Sequence, residues 1–438
     1  MKKSKYLYPY EKNGFYILSG SQWNVYKVEE EVFEKIKNNN INDMEEEVVQ
    51  RLKKELLLFE DWENEDDIIL DKFNEAIYGN KLKLTIIPTE LCNFRCVYCY
   101  ETHNKGKMTD DVEQAIVKFA KRNAKDYSSV DIEWFGGEPL LESSRVITLS
   151  KQIKEVCKNN KIPMVSSMTT NGYLLTQDIL SQLIDANVLY YQITLDGPES
   201  IHNKMRPLVS GEGSFNKIYN NLLDAKKVDK YFKIAIRINV SKDNKDSINE
   251  LLKKLDRDFG DDTRFTVIME TVKDWGGDNE CVSNDTLLED RGDLEEEMAI
   301  LGDNLKTHSN FSESAVGRMC YSGRKNGYVI NFNGEILKCA RAQYESDEIQ
   351  KKNLIGQLMP NGKIEYKSSD AQWLKIYWNI KYDGKDCDNC WAKPNCVLSI
   401  CPLAKVANIQ PKCLLKEMGK SIDVYINTTI TQGKYKIV

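Results

Sequence analysis

The chain has 438 residues, of which 41% are hydrophobic and 29% are charged, a composition typical of a globular protein with two or three domains. The formal net charge is -6 and the lysines are interleaved with acids, so neither nucleic acid nor an anionic membrane is an expected partner. The sequence has no run of 18 apolar residues and no signal-peptide pattern, which predicts a cytoplasmic protein.

The first compositional region, residues 1–78, predicts a small module of strands followed by helices. Strand-like segments lie at 5–8, 15–19 and 23–28, and helical patterns at 29–36 and 44–59. The acidic stretch EDWENEDD, at 60–67, is predicted to be a solvated connector. Structural packing and peptide binding through a sheet edge are equally open as functions of this module.

The second region alternates six times between strand-like and helical patterns. The strand-like segments lie at 83–87, 130–135, 164–169, 189–195, 233–240 and 264–269. The amphipathic helical patterns lie at 110–124, 144–157, 177–186, 215–227 and 245–259. Such a series predicts an α/β fold with a parallel sheet, whose functional residues collect after the carboxyl ends of the strands.

A cluster of cysteines follows the first of these strands. The stretch TELCNFRCVYCYE, at 89–101, contains Cys92, Cys96 and Cys99. Structural zinc usually has four protein ligands, whereas three thiolates leave one coordination position open. Because thiolates also suit iron-sulfur clusters, a cluster with one uncapped iron is the competing interpretation, and the spacing alone leaves both open.

The later strands end in further unusual residues. GGEP at 136–139, TTNG at 169–172 and LDGP at 195–198 follow the second, third and fourth strands, and Asn239 and Glu270 end the fifth and sixth. Any one of these motifs alone is more often an ordinary turn. Their placement at the ends of consecutive strands favours one shared binding site.

Together, CxxxCxxC followed by an aromatic residue, and GGEP after the next strand, resemble the radical S-adenosylmethionine (SAM) superfamily over about residues 82–270. The resemblance implies a partial (β/α)6 TIM-like barrel. It also implies that Cys92, Cys96 and Cys99 ligate a [4Fe-4S] cluster whose uncapped iron chelates the amino and carboxylate groups of SAM.

The same resemblance assigns other residues to SAM. It implies that Tyr98 lies next to the adenine, and that Gly136, Gly137 and Glu138 contact the methionine amine. Contacts to the ribose or carboxylate are expected from Asn171, Thr194 and Arg237.

The resemblance further implies that one electron from the reduced cluster cleaves SAM and that the resulting adenosyl radical abstracts a hydrogen from the substrate. This step requires no general base, which suits a chain with three histidines. His202, within IHNKMRP, is predicted to be structural or loop-capping.

Seven of the twelve cysteines lie in the third region, and cysteines of a cytoplasmic protein are more often metal ligands than disulfide partners. Their pattern is similar to the SPASM extension of many peptide-modifying radical SAM enzymes, which implies two auxiliary [4Fe-4S] clusters. The distal cluster would be held by Cys387, Cys390, Cys396 and Cys413, and the proximal one by Cys320, Cys339 and Cys401. Four residues, where the extension usually has three, separate Cys396 from Cys401, and a zinc ribbon is the alternative for 387–401.

The proximal set lacks a fourth cysteine, because SESAVGRM at 312–319 contains none. Either Cys281 reaches the cluster or one iron is open. The open iron is favoured, since Cys281 follows the flexible segment GGDNE. Cys157 is predicted to be a core thiol on a barrel helix.

These resemblances divide the chain into a winged-helix-like module at 1–78, a radical SAM barrel at 79–312 and a SPASM domain at 313–438. The first module resembles the element by which such maturases bind the leader of a precursor peptide. A flavodoxin- or ferredoxin-type protein is the expected reductant.

The expected function is maturation of a ribosomally made peptide, with thioether formation from a peptide cysteine favoured. Carbon-carbon or carbon-oxygen crosslinking and anaerobic sulfatase maturation are alternatives. Ala340 follows Cys339 where sulfatase-maturing enzymes have an aspartate, which weakens the last of these. The non-enzyme alternative, an iron-sulfur electron carrier, is disfavoured because the SAM-side motifs would have no purpose in it.

Overall fold

The computed structural model describes residues 1–103, 106–273, 319–375, 387–409, 413, 421–431 and 433–438. The chain forms two compact units. The smaller consists of Met1–Gly79, Asn310–Arg324 and Leu374–Val438, and the larger of Asn80–Ser309 and Lys325–Trp373. The boundaries of these two units differ from those of the three predicted domains, which stay a prediction.

The smaller unit begins with five strands: β1 (Lys2–Lys3), β2 (Leu7–Glu11), β3 (Phe15–Ser19), β4 (Asn24–Val28) and β5 (Leu58–Phe59). Strands β2, β3 and β4 form an antiparallel sheet, and β1 pairs with β5. Helices α1 (Glu30–Lys37) and α2 (Glu46–Lys54) follow β4. The second helix was predicted to reach residue 59 but ends earlier, because β5 is needed to pair with β1.

A third helix, α3 (Glu65–Tyr78), begins inside the stretch that was predicted to be a connector. Its first turn contains Glu65, Asp66 and Asp67, and the Asn64 side chain accepts a hydrogen bond from the Asp66 N–H. Acidic residues stabilise the positive end of the helix dipole, so this acidic run marks a helix start. The connector interpretation of these residues was therefore wrong.

The larger unit contains six parallel strands in sequence order: β6 (Lys81–Ile86), β7 (Ser129–Trp134), β8 (Met164–Thr170), β9 (Val188–Thr194), β10 (Lys233–Val240) and β11 (Phe265–Thr271). Every neighbouring pair is parallel. The α/β class with a central parallel sheet is confirmed, and each strand begins and ends within about two residues of its prediction, a smaller error than boundary estimates usually carry.

Helices connect these strands: α4 (Asp110–Asn123), α5 (Ser143–Asn159), α6 (Gln177–Asp185), α7 (Glu199–Met205), α8 (Phe215–Lys226) and α9 (Ile248–Phe259). Only α7, which follows LDGP, was not predicted. Cys157 is buried on α5, as expected of a core thiol.

The sheet extends beyond β6 through four further strands: β12 (Gly327–Ile330), β13 (Glu335–Leu337), β14 (Leu354–Leu358) and β15 (Ile364–Tyr366). β12 is parallel to β6, and the others continue antiparallel. Helices α10 (Asp347–Asn353) and α11 (Ala371–Leu374) accompany them. Residues 325–373 thus join the larger unit, because β12 supplies the backbone partners that the β6 edge requires.

The smaller unit is completed by α12 (Lys393–Ser399), α13 (Pro402–Val406), α14 (Ser421–Thr431) and β16 (Lys436–Ile437), which pairs with β4. Trp23 and Cys396 share one apolar core. Gly20 leaves room for this packing, since a Cβ there would lie 1.8 Å from the Trp391 carbonyl oxygen. The N-terminal strands and the cysteine-rich segment therefore fold as one unit.

The parallel sheet has one face covered by helices and one that is half-exposed. Side chains such as Ile132, Met168 and Ile236 point into the core under the helices. The alternate residues are half-exposed and mostly polar: Glu133, Ser167, Gln192, Arg237 and Thr266. Within the described chain, no helix is both long enough and apolar enough to span a membrane.

Candidate active site

The loop after β6 holds the first three cysteines in a fixed backbone path. The N–H groups of Arg95 and Val97 donate to the carbonyls of Pro207 and Met205, each at 2.9 Å. In antiparallel pairing this pattern sets Cys96 opposite Arg206. The turn is tightened by the Cys99 N–H, which donates to the Cys96 carbonyl at 3.1 Å, and the three cysteines are half-buried.

The glycine pair after β7 lies against the start of this loop. The Gly137 N–H donates to the Thr89 carbonyl at 3.2 Å. A Cβ on Gly136 would lie 2.5 Å from the Thr89 carbonyl oxygen, and one on Gly137 would lie 2.3 Å from that of Leu91. Gly136 also has a φ of 114°, which disfavours other residues. The pair is thus required for packing of the cysteine loop, whatever it contacts in a ligand.

Glu138, which follows the glycines, is fully buried, and its hydrogen bonds connect the loop after β7 to the end of β8. Its Oε1 accepts hydrogen bonds from the Leu140 N–H at 3.0 Å and the Thr170 hydroxyl at 2.6 Å. Its Oε2 accepts from the Asn171 N–H at 2.7 Å. Burial raises the pKa of Glu138 in spite of these donors.

Asn171 connects the end of β8 to the cysteine loop. Its Nδ2 donates to the Asn93 side-chain oxygen at 2.8 Å, and its own Oδ1 accepts from the Tyr173 N–H at 2.9 Å. The side chain is 6% exposed. The predicted SAM contacts Glu138 and Asn171 are therefore brought together by the fold, and both also support the loop that contains Cys92.

Tyr98 is the centre of a buried polar network. Its hydroxyl donates to the Asp196 carboxylate in a short hydrogen bond. It accepts from the Arg206 guanidinium at 2.6 Å and from Asn239 Nδ2 at 3.0 Å. Burial raises the pKa of Tyr98 well above its usual value, so the phenol stays neutral. The network joins the cysteine loop to the ends of β9 and β10.

Arg206 was not singled out by the sequence, although it lies in the quoted stretch IHNKMRP. Its residue is 7% exposed, its guanidinium lies 3.9 Å from the Asp196 carboxylate, and it is 5.7 Å from the Phe94 ring centroid. Burial raises the pKa of Cys96, and the Arg206 charge opposes that rise. A buried cation thus lies next to the central cysteine. The available signal in the sequence was an arginine four residues after the predicted capping histidine.

His202 has the structural role that was predicted. Its Nδ1 accepts a hydrogen bond from the Asp196 N–H at 3.2 Å, and its Nε2 lies 3.1 Å from the Ser214 hydroxyl. Ser214 in turn donates to the Arg206 carbonyl at 2.7 Å. Burial lowers the pKa of His202 well below its usual value, so the ring is neutral and fixes the LDGP loop.

Thr194 and Arg237 lie opposite each other on β9 and β10. Arg237 donates from Nε to the Asn239 side-chain oxygen at 2.7 Å, and its carbonyl accepts from the Leu195 N–H at 2.9 Å. Both residues are at the same edge as Tyr98 and Asn171. The structure therefore brings every predicted SAM contact to one end of the parallel sheet, as the strand-end argument requires.

Two acids that sequence reasoning left unassigned, the buried Glu90 and the half-buried Glu101, lie close to Glu138. Burial, together with the neighbouring carboxylates of Glu90 and Glu138, raises the pKa of Glu101 to about 8. Tyr100 packs edge-on against Tyr344 at 5.6 Å between ring centroids. The motif contained Glu90 and Glu101, but only tertiary burial shows that they are close to one another.

The later cysteines are distributed over both compact units. In the smaller unit, Cys390 and Cys396 pack in the core with Trp23, and the Cys390 N–H donates to the Cys387 carbonyl at 3.3 Å. The remaining cysteines of that unit are Cys320 and Cys401, which are exposed, and Cys413, which is half-buried. Cys339 belongs to the larger unit, where its backbone N–H donates to the Asn353 side chain at 2.8 Å. Cys281 lies outside the described residues.

In the described ranges, no three histidine, cysteine, aspartate or glutamate side chains converge on a single metal ion. The chemistry of the first three cysteines nevertheless fits an iron-sulfur cluster, since all three come from one loop and offer thiolate ligands. Burial raises the pKa of Cys92 to about 12. Ligation must therefore displace protons that the protein alone would leave in place.

Comparison with known proteins gives a consistent result. A sequence profile of the Radical SAM superfamily matches residues 86–255. The chain is 29% identical over 193 residues to a cysteine-type anaerobic sulfatase-maturating enzyme of Clostridium novyi, covering 42% of this chain and 50% of the relative. It is 26% identical over 220 residues to a GTP 3',8-cyclase of Actinobacillus succinogenes, covering 48% and 58%.

Among solved structures, native anSMEcpe with bound AdoMet is similar with a TM-score of 0.55 and 17% identity, covering 80% of this chain and 99% of that one. At this identity the likeness shows the fold. The chain spans about half the length of the curated relatives it matches.

Proposed function

Because this chain carries a radical SAM domain, we propose that it is a radical SAM enzyme that modifies a ribosomally made precursor peptide. The observation that carries the proposal is the loop of Cys92, Cys96 and Cys99, fixed beside the buried Glu138 and Tyr98 networks at the carboxyl end of the parallel sheet. An electron carrier would have no use for this second set of polar groups.

The residues of the site have two roles: some would bind the cluster, and others hold the cysteine loop in position. Cys92, Cys96 and Cys99 would hold the [4Fe-4S] cluster, and the backbone pairing with Met205 and Pro207 keeps the loop in place. When bound, the cluster and SAM supply a 5′-deoxyadenosyl radical that removes a hydrogen atom from the substrate. The protein's own task is to orient SAM and exclude water from it.

Groups at the strand ends would orient SAM. The backbone of Gly136 and Gly137 can approach a ligand closely, and the polar side chains of Asn171, Thr194 and Arg237 are at the same edge of the sheet. Tyr98 presents its ring beside the loop while its hydroxyl is bound to Asp196 and Arg206. The residues proposed to contact SAM are the ones that the resemblance assigns to it.

A peptide substrate is supported by two observations. The face of the parallel sheet that the helices do not cover is half-exposed and mostly polar, so it can form hydrogen bonds with a substrate backbone. anSMEcpe, to which the fold is similar with a TM-score of 0.53, has been solved with a bound Cp18Cys peptide. The N-terminal module, residues 1–78, would bind the leader segment of the precursor.

Thioether formation from a peptide cysteine is the favoured reaction. The reaction would remove two hydrogens in all: one hydrogen atom from carbon, and from the thiol a proton together with one electron that an auxiliary cluster would accept. Cys320, Cys339 and Cys401 would hold the proximal cluster, and an open iron there would supply a binding position for the peptide thiolate. Carbon-carbon or carbon-oxygen crosslinking would apply to a precursor core without cysteine.

Sulfatase maturation is the second candidate, because the curated relatives include sulfatase-maturating enzymes. The residue after Cys339 argues against it. Ala340 is 6% exposed and carries no proton-accepting group, where that reaction would use a carboxylate base.

The distal cluster, with Cys387, Cys390, Cys396 and Cys413 as ligands, would relay electrons to a flavodoxin- or ferredoxin-type acceptor or donor.

Anaerobic incubation of the reconstituted protein with SAM and dithionite tests the enzyme proposal. We expect release of 5′-deoxyadenosine, and none from the variant in which Cys92, Cys96 and Cys99 are alanine. Absence of product from the unaltered protein would remove the radical SAM function.

Mass spectrometry then identifies the reaction. The test substrate is the product of a short open reading frame next to the gene, where one is found. This peptide should lose two hydrogens, and its cysteine should no longer react with iodoacetamide. A cysteine-containing sulfatase peptide serves as the competing substrate, and its conversion to an aldehyde would favour the second candidate.

A further inference from the structure

Cys339 lies just beyond the end of a pair of strands in the larger unit. Strand β13 pairs with β14 as far as Leu337, which lies opposite Leu354, and the register shifts between Ile336 and Leu337. The next two residues, Lys338 and Cys339, follow the paired strand, and Lys338 is fully buried while Cys339 is half-buried. Backbone groups in such surroundings need hydrogen-bond partners, so another part of the protein must hold the chain at Cys339.

One buried side chain supplies these partners. Asn353, the last residue of α10, accepts hydrogen bonds at Oδ1 from the N–H groups of Lys338 at 3.1 Å and Cys339 at 2.8 Å. Its Nδ2 donates to the Cys339 carbonyl at 2.9 Å. The Lys338 N–H also donates to the Asn353 carbonyl at 3.2 Å, and Asn353 is fully buried. A single side-chain amide therefore holds both backbone groups of Cys339.

This set of hydrogen bonds requires an amide at position 353. A side-chain amide offers an acceptor oxygen and a donor NH2 group on the same carbon. An ionised aspartate would lose the donor, and a leucine of similar size would leave both backbone groups of Cys339 without these hydrogen bonds. Because a buried polar group without a partner costs free energy, the amide of Asn353 determines whether the Cys339 backbone keeps this geometry.

Asn353 is itself fixed by hydrogen bonds on either side. Before it, Trp373 Nε1 donates to the Lys352 carbonyl at 3.0 Å, and the Trp373 ring is fully buried. After it, the Ser368 hydroxyl donates to the Leu354 carbonyl at 2.9 Å. These bonds hold the chain around Asn353, so its amide is presented to Cys339 in one orientation.

The residue before the cysteine is anchored by its side chain. Lys338 Nζ lies 3.6 Å from the Asp370 carboxylate and 5.6 Å from the centroid of the Tyr328 ring. A buried ammonium group with a carboxylate partner and an aromatic face beside it has a fixed position. The chain at 338–339 is thus held from both sides, and the position of the Cys339 sulfur then depends on one rotatable bond, χ1.

We propose that Asn353 is a positioning residue for Cys339, and that it holds this cysteine ready to bind the proximal iron-sulfur cluster. The inference rests on the proposed function, in which Cys339 is a ligand of that cluster, and it adds a residue that none of the cysteine motifs contains. The larger unit would therefore orient this ligand before iron arrives, as a hydrogen-bonded neighbour of a metal ligand commonly does.

The test uses the variant in which Cys92, Cys96 and Cys99 are alanine, because its iron reports only on the two auxiliary clusters. Adding Cys339→Ala to this background identifies the proximal cluster as the part of the electron paramagnetic resonance signal that disappears. We expect Asn353→Leu to weaken or shift the same part of the signal and to lower the iron content from about eight toward about four. An unchanged signal with unchanged iron would overturn the proposal.

Ile355→Ala separates positioning from a general loss of stability. Ile355 is fully buried on β14, two residues after Asn353, so its truncation leaves a cavity next to the same segment without removing the hydrogen bonds to Cys339. Denaturant unfolding should show that both variants are less stable than the background, but only Asn353→Leu should change the proximal signal. An equal change in Ile355→Ala would give Asn353 a purely structural role.

Asn353→Asp is the conservative variant, and it replaces Asn353→Leu if the leucine variant does not fold. It keeps the side-chain oxygen that accepts hydrogen bonds from Lys338 and Cys339. We therefore expect it to retain more of the proximal signal than Asn353→Leu, with g values shifted from those of the background. A proximal signal identical to that of Ile355→Ala would contradict the positioning role.

These measurements do not depend on catalysis, because the background variant lacks the cysteines needed to cleave SAM. If Cys339→Ala keeps all the iron and the whole signal, Cys339 is not a ligand, and the role of Asn353 is rejected while the radical SAM function stands. Release of 5′-deoxyadenosine by the unaltered protein tests that function separately. Its absence would reject the enzyme and leave the effect of Asn353 on the auxiliary iron interpretable.

Discussion

The two groups of cysteines in this protein are built in different ways. Cys92, Cys96 and Cys99 lie on one loop of the larger unit, whose backbone is held at 93, 95 and 97 by hydrogen bonds to residues 205–209. The seven later cysteines come from separate segments, with Cys339 in the larger unit and the other six in the smaller.

This difference bears on how each site acquires its cofactor. In the first site the protein backbone arranges the ligands before any metal arrives, so binding mainly displaces thiol protons. The proposed ligands of the later sites come from several segments of the chain, so cluster binding there would be coupled to folding. Substitution of the cysteine ligands in the first site is therefore expected to abolish cluster binding without unfolding the protein, whereas substitution of the ligands in the later sites is expected to destabilise the fold.

Replacing Cys92, Cys96 and Cys99 together with alanine should have the largest effect. We expect no SAM cleavage, yet a folded protein that keeps about eight of about twelve irons, since each cubane holds four. Iron analysis and assay of 5′-deoxyadenosine check this. Loss of all iron would show that the two groups of cysteines are not independent.

Gly136→Ala should disrupt the first site through its packing. The new Cβ would lie 2.5 Å from the Thr89 carbonyl oxygen, so we expect a loss of about 3 kcal/mol in the free energy of unfolding, with less iron at the first site. Gly211→Ala is the matched control, because it also has a positive φ but no atom within 4 Å. Denaturant unfolding should show a loss of about 1 kcal/mol there; equal losses would contradict the packing role.

Arg206→Met should change the electrostatics of the first cluster. Removal of the buried cation opposite Cys96 should lower the cluster's midpoint potential by roughly 60 mV, which is tenfold for one electron. Redox titration followed by electron paramagnetic resonance measures this. Arg95→Met, in the same loop but exposed, is the control. Similar potentials for the two variants would remove Arg206 from this role.

Cys281→Ala should have the smallest effect. If the proximal cluster has an open iron, this variant keeps its cluster content and most of its activity, and addition of precursor perturbs the electron paramagnetic resonance of that cluster. Loss of one cluster from the variant would instead make Cys281 a ligand. The thioether reaction would then lose its main support, and carbon-carbon crosslinking would become the better proposal.

The regular elements of the larger unit were predictable because their signals are local. Strand β10 was predicted at its observed bounds, 233–240, since alternating burial leaves a two-residue period in the sequence. Helix α7 was missed because it is short and buries only His202 and Met205. Strand β12 could not be assigned from sequence, since it takes its place by pairing with β6, more than 200 residues earlier.

The sequence by itself determined the parallel α/β order and the placement of the cysteines and the polar motifs at the strand ends. Those features follow from residue periodicity and from spacing within short segments. Tertiary structure alone decided that Arg206 lies opposite Cys96, that Glu138 links two loops, and that β16 covers β4. Such contacts join residues distant in the chain, and their energy comes from burial and pairing that no local pattern records.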